Sequence, residues 1–318
     1  MNKGLEKLLI LFLGVLTVLL TYLTNPLIGV LPSPTYIWKI YFITLFTVFS
    51  LKTFRSYRRS RINGGPYVAK RLLSLLVMLL LFYLIVPIVL FSSPWLGISE
   101  SGGFRALRQS MVAIWPMASG IIWERGIFNV YYIALSFVLF PVLVLIFGRR
   151  AYCGWVCHSG GLPEMLGSGF TAQTSKTDEP LAKNKTSILL LALTIIFTVW
   201  AIIFGTGDSF NLIYSMLMGF LISAVIKTGV NLAIIPFKGP RFWCRYLCPA
   251  GLIYGLLSKI RHHGILKNNS LCTECKVCNS SCQMGIDITN GEDEIFSIHC
   301  IGCGLCVQNC REQCLKLV

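Results

Sequence analysis

Histidine and acidic residues are scarce in this chain, and cysteine is absent before Cys153. Its 318 residues include four histidines and 13 aspartates and glutamates, and charged residues of both signs make up only 13%. The histidines are His158, His262, His263 and His299; none falls inside a long apolar run, which excludes a bis-histidine haem held between helices. There is no dinucleotide-type glycine fingerprint and no phosphate-binding loop, so NAD and nucleotide hydrolysis are not expected. The apolar runs also lack the carboxylates of a proton pump. Lys227 is the one ionisable residue that falls within a run, either snorkelling at its end or buried if the helix continues toward Pro236.

Soluble domains carry about 25% charged residues, so a chain that is 55% hydrophobic reads as a membrane protein. Apolar runs near 8–30, 37–52, 72–91, 128–148, 187–206 and 212–236 approach the roughly 17–25 residues that a helical span needs. The first is too long for a signal-peptide core and precedes further spans, so it is expected to be retained. Lys52, Arg55, Arg58, Arg59, Arg61, Lys70 and Arg71 crowd one loop, Arg149 and Arg150 close the fourth run, and Lys183 and Lys185 open the fifth. The positive-inside rule then places both termini in the cytoplasm. The expected fold is an all-α polytopic membrane bundle of about six transmembrane helices over residues 1–264, multi-pass in the inner (cytoplasmic) membrane. The net charge of +15 is a topology signal with some attraction to lipid. It comes without the basic helix or aromatic-studded sheet of a nucleic-acid binder. Residues 104–115 and 250–261 read as interfacial helices.

From residue 265 the composition changes. Cys272-x2-Cys275-x2-Cys278-x3-Cys282 is followed by Cys300-x2-Cys303-x2-Cys306-x3-Cys310. This doubled run has the bacterial two-cluster spacing, in which each fourth cysteine serves the other cluster. One 4Fe–4S cluster is expected on Cys272, Cys275, Cys278 and Cys310, the other on Cys300, Cys303, Cys306 and Cys282. Zinc is the competing reading, but two consecutive three-step runs group the ligands wrongly for it. Residues 265–318 are therefore expected to form an α+β dicluster ferredoxin domain, cytoplasmic because reducing conditions keep its thiols available. Gln283 and Arg311 follow the fourth cysteines, where proline is usual; Cys314 reads as packing. Glu292-Asp293-Glu294 is either a solvated loop or a patch for a basic redox partner.

Two further segments, 150–162 and 241–253, repeat one another. Arg150, Tyr152, Cys153, Cys157 and Gly160 align with Arg241, Trp243, Cys244, Cys248 and Gly251. Aligned positions of this kind indicate a duplicated unit. Cysteines four apart share a helical face, so two such turns side by side would bring Cys153, Cys157, Cys244 and Cys248 together, flanked by Arg150 and Arg241. A further cluster, a redox dithiol or transient metal site, and plain packing all remain open.

Helices leading into two CxxxC motifs, with a two-cluster tail, resemble the NapH-type membrane quinol dehydrogenases. The same core is similar to the membrane portion of the NosR type and to the iron–sulfur copper reductases of oxidase assembly. The resemblance covers about residues 128–318. It departs at His158, where proline is expected, and lacks the flavin domain of the NosR type and the β-domain of the oxidase-assembly type. It implies electron transfer between the quinone/quinol pool and an iron–sulfur or cytochrome partner subunit, as a quinol dehydrogenase component if catalytic at all. The alternative is an assembly factor that reduces copper or a cofactor for a metalloenzyme.

Overall fold

Leu-, Ile- and Val-rich segments wind into helices, and the cysteine-rich tail forms short strands and single helical turns. The computed structural model describes residues 3–23, 65–79, 115–116, 134–176, 185–204, 210, 213–260, 264–290 and 293–318. Helix α1 spans Lys3–Leu23 and α2 Gly65–Leu79. A π-helical stretch, Ala134–Leu139, runs into α3, Phe140–Phe147. Then come α4 (Ala151–Trp155), α5 (His158–Gly167) and a 3-10 turn over Ser168–Gln173. Helix α6 spans Lys185–Phe204. A second π-helical stretch, Ser215–Val230, continues as α7, Asn231–Lys238. The short α8 (Phe242–Tyr246) and α9 (Pro249–Ser258) lead into the tail.

The described residues do not build the expected six-span bundle. Among the described residues no helix is long and apolar enough to cross a membrane. Apolar runs fail as spans where the backbone or a polar side chain interrupts them. The 128–148 and 212–236 runs change helical pitch at Phe140 and Asn231, and α7 carries Pro236 inside it. Helix α1 begins among Lys3, Glu6 and Lys7, and α6 on Lys185-Thr186-Ser187. The 37–52 run, the basic loop up to Arg61, residues 104–114, His262, His263 and Glu292 lie outside the described residues. Arg71, counted with that basic loop, is fully buried. Helix α9, expected at an interface, buries Ala250, Leu252 and Tyr254.

In the tail, β1 (Ile265–Lys267) pairs antiparallel with both β2 (Glu294–Ile295) and β3 (Leu315–Leu317), in the order β2-β1-β3. Ile265 sits opposite both Ile295 and Leu317. Helical turns α10 (Val277–Ser281) and α11 (Leu305–Gln308) each start after a left-handed residue, Lys276 and Gly304. One hydrophobic core joins Phe140, Tyr152, Trp243 and Tyr254 to Ile265, Met284, Ile301 and Leu315. The tail therefore shares its core with the helices.

Candidate metal centres

The two repeat units fold alike. Gly148 and Gly239, with φ of 63° and 81°, turn the chain out of α3 and α7 and into the arginine of each unit. Cys153 lies in α4 and Cys244 in α8. Cys157 and Cys248 are not on the same helical turns, as an i, i+4 reading expects; each is the N-cap of the next helix, with extended backbone. The Gly251 amide donates to the Cys248 sulfur at 3.2 Å, and the Gly160 amide does the same for Cys157. A thiolate there meets free amides and the positive end of a helix. His158 and Pro249 take the first position of α5 and α9, so the departure from proline leaves the turn intact.

Each unit's arginine braces the other unit. Arg150 Nη1 donates to the Cys244 carbonyl at 3.0 Å, and Arg241 Nη1 to the Cys153 carbonyl at 3.0 Å. The aligned glycines make the room: a Cβ on Gly251 would lie 2.8 Å from Arg150 Nη1, and one on Gly160 1.9 Å from Arg241 Nη1. All four thiols converge, close enough for Cys153, Cys157 and Cys248 each to feel neighbouring cysteines. Arg150, Arg241 and half-buried Lys227 supply positive charge around them. Burial and then the neighbouring sulfurs push the Cys248 thiol up to about 12. A nucleophilic dithiol needs the opposite shift.

Tyr254 marks the space between these thiols. Its ring is buried against Tyr152, which packs at a tilt on Phe140. Its hydroxyl has no hydrogen-bond partner and faces Cys153, Cys157 and Cys248. An orphaned buried donor costs about 1–3 kcal/mol, and sulfur acceptors of a bound cluster would satisfy it. Four thiols, three cations and a free hydroxyl therefore fit an iron–sulfur group. Tyr152 and Trp243, the aligned aromatics of the two units, are both core residues.

The second unit of charge is Glu164, on α5. It is fully buried between Arg71 and Arg241, whose Nη2 atom is 2.5 Å from Glu164 Oε2. Burial alone would raise its pKa, but the two guanidinium groups outweigh this and hold it at about 2. Gln283 Nε2 donates to Glu164 Oε1 at 2.9 Å, and Arg71 Nη1 donates to the Gly154 carbonyl at 3.0 Å. The equivalent place in the other repeat holds Gly255, where a Cβ would lie 2.9 Å from Arg150 Nε. Arg150 consequently turns to the tail, donating to the Ile298 carbonyl at 2.6 Å and meeting His299 Nδ1 at 3.1 Å. Burial first, then Arg150 and Arg245, lower His299 to about 3, leaving Nδ1 free to accept.

Within the tail, Cys282, Cys300, Cys303 and Cys306 line one cavity with Ile265, Met284, Ile286 and Ile301. They are the four expected to share a cluster. Gly302 and Gly304 take φ of 61° and 74°, which wraps the loop around that space. The Ile286 amide donates to the Cys282 sulfur at 3.3 Å. The other group is more open: Cys272 and Cys278 are half-buried, Cys275 is exposed and Cys310 is buried. Cys314 touches this group, with its sulfur 3.4 Å from that of Cys310. Among the described residues no three His, Cys, Asp or Glu side chains gather tightly enough for a single metal ion. Four thiols set around a volume are the arrangement a cubane requires. Asp293 of the acidic loop accepts from Asn269 Nδ2 at 2.5 Å.

Glu164, Gln283 and Tyr254 were not singled out by sequence for these roles. Gln283 was visible only as a departure from proline. A carboxylate in a chain so poor in them was the available signal for Glu164.

A family of 4Fe–4S binding domains matches residues 130–170 and 212–268, which contain both CxxxC units. An uncharacterized protein of Methanocaldococcus jannaschii is 30% identical over 187 residues, 56% of this chain and 76% of that protein. The ferredoxin-type protein NapH of Haemophilus influenzae is 26% identical over 215 residues, 58% of this chain and 68% of NapH. The regulatory protein NosR of Pseudomonas aeruginosa is 24% identical over 185 residues, 55% of this chain but only 26% of NosR. No solved structure matches.

Proposed function

This chain belongs to the NapH/NosR-type family of ferredoxin-type 4Fe–4S electron-transport proteins, and we propose that it carries electrons between the quinone pool and a redox partner subunit. Electron transfer and 4Fe–4S binding follow from the family. The quinone, the membrane and the number of clusters belong to our reading. One observation carries it: four thiols from the two repeats converge beside an orphaned Tyr254 hydroxyl, pressed against the second cysteine run of the tail.

In this reading Cys153, Cys157, Cys244 and Cys248 hold one cluster, Cys300, Cys303, Cys306 and Cys282 a second, and Cys272, Cys275, Cys278 and Cys310 a third. Bound clusters supply reversible one-electron steps, whereas a quinol gives up two electrons and two protons. Arg150, Arg241 and Lys227 offset the thiolate charge at the paired site. Apolar packing around Cys282 and Cys300 excludes water from the second. Exposed apolar residues of α1 and α6, among them Phe12, Val15, Ile196 and Val199, would face the membrane. The tail would lie on the cytoplasmic side, where thiols stay reduced.

Anaerobically purified full-length protein, mixed with a menaquinol analogue, tests the reading by visible and EPR spectroscopy. Reduction of its clusters is the expected result. No reduction by quinol, together with reduction of added copper, would replace it with the assembly-factor role.

A further inference from the structure

The tail has an inner and an outer face, and they divide its two cysteine runs. Most of the hydrogen bonds from the helices to the tail meet the second run or Cys282, while Arg149 reaches the Gly264 and Val318 carbonyls and α10 packs on the Ser168–Gln173 turn. The Arg150 amide donates to the Cys300 carbonyl at 2.9 Å, and the Arg150 side chain holds Ile298 and His299. A Cβ on Gly154, between the cysteines of the first unit, would lie 2.2 Å from the Ile301 carbonyl oxygen. Lys176 Nζ donates to the Cys282 carbonyl at 3.0 Å, and Gln283 reaches Glu164. The loop that opens the first run, residues 271–276, is left facing outward. Of the thirteen cysteines Cys275 alone is exposed, and Thr273, Glu274 and Lys276 around it are exposed too.

From this we infer that residues 271–276 form the surface on which a one-electron protein carrier docks, with Cys275 the point of exchange. The inference rests on the electron-transfer reading above and gives it an order: paired cysteines, then the Cys300 run, then the Cys272 run, then the carrier. Electron transfer weakens steeply with distance, so exchange with an outside protein uses the centre whose ligand reaches the surface. The transfer moves one electron between centre and carrier; no bond forms or breaks and no proton moves. Exposed charges near this run balance, Lys276 and Arg311 against Glu274 and Glu312. Leu271, next to Cys272, exposes 54% of its surface. Recognition therefore rests on a short-range apolar contact, and carriers of either net charge fit.

The test uses full-length protein holding its clusters, reduced with dithionite so that no quinol step enters. It is mixed in stopped flow with an oxidised cytochrome c, which is basic, or an oxidised acidic ferredoxin. Leu271→Asn should slow exchange with both carriers by about tenfold, with iron content and EPR spectrum unchanged. Glu294→Lys, at the exposed start of β2, should leave both rates as they are. The inference is overturned if Leu271→Asn has no effect, or if Glu294→Lys slows the basic carrier and hastens the acidic one. A second measurement needs no docking variant. An aqueous dysprosium chelate should speed the relaxation of the EPR signal that Cys278→Ser removes, and not of the signal that Cys303→Ser removes. Equal relaxation of the two would equally overturn the inner and outer assignment. Failure of quinol to reduce the protein would leave these results standing and remove only the quinone reading.

Discussion

Glu164 has charged partners on two sides and an amide on the third, all buried. Removing one member of such a group leaves an uncompensated buried charge, which costs about 3–5 kcal/mol. Glu164→Gln should therefore lower the urea midpoint strongly at pH 7, and Glu164→Asp less. The pH dependence has a definite sign. A carboxylate held at about 2 when folded, against 4.5 when unfolded, contributes its full stability above pH 4.5 and loses it as pH falls toward 2. Wild-type midpoints should fall over that window, and the Glu164→Gln variant should lack this share of the fall. The glycines opposite the arginines make a second residue-scale prediction. A methyl at Gly160 meets Arg241 and, at 3.2 Å, the Cys244 sulfur; a methyl at Gly251 meets Arg150 at 2.8 Å. Both arginines are buried and each is held by three hydrogen-bond partners, so neither can swing away cheaply. Gly160→Ala should lose iron from the paired site, and Gly251→Ala less, measured as iron per chain.

Among the elements, the short helices α4, α5, α8 and α9 do what a longer helix could not. A single continuous helix would place cysteines four apart on one face at fixed spacing. Breaking it after Trp155 and Tyr246 turns the second cysteine of each pair into an N-cap, where an amide can bond its sulfur. Strand β3 makes a parallel point in the tail. It begins directly after Cys314, and its pairing with β1 draws Cys314 against Cys310. Cys314 is a fifth thiol at a site already supplied with four, so Cys314→Ala should keep the iron content of the wild type. Loss of about four irons in that variant would make Cys314 a ligand and displace one of the others.

At the scale of the whole molecule, tail and helices form one core, so their stabilities are linked. A chain cut before Ile265 would strip Arg150 from Ile298 and His299, and Gly154 from Ile301. The full-length protein is therefore the right object for counting iron. About twelve irons are expected if three 4Fe–4S clusters are bound. A variant with serine at Cys153, Cys157, Cys244 and Cys248 should lose about a third of them and keep the ferredoxin-like spectrum. Equal iron in both proteins would leave the paired cysteines as a redox dithiol or as packing.

By itself the sequence determined the family and the iron–sulfur chemistry. Ligand spacing is local: a cubane accepts cysteines only in a few steps, so Cys272 to Cys310 can be read without a fold. The duplication was legible for the same reason, through Arg150, Cys153 and Gly160 against Arg241, Cys244 and Gly251. Tertiary structure decided what hydropathy and spacing cannot carry. Six apolar runs predicted six spans, but pitch changes, proline and polar insertions depend on what each segment packs against, and no described helix meets the requirement. Arg71 read as a loop charge because a charge pattern records sign and position; its burial depends on Glu164, a residue far away in the chain. Gln283 read as a lost proline, and it is a contact between tail and helices. Which cysteine run faces the helices was also beyond the sequence, since two equal motifs become unequal only when one of them is covered.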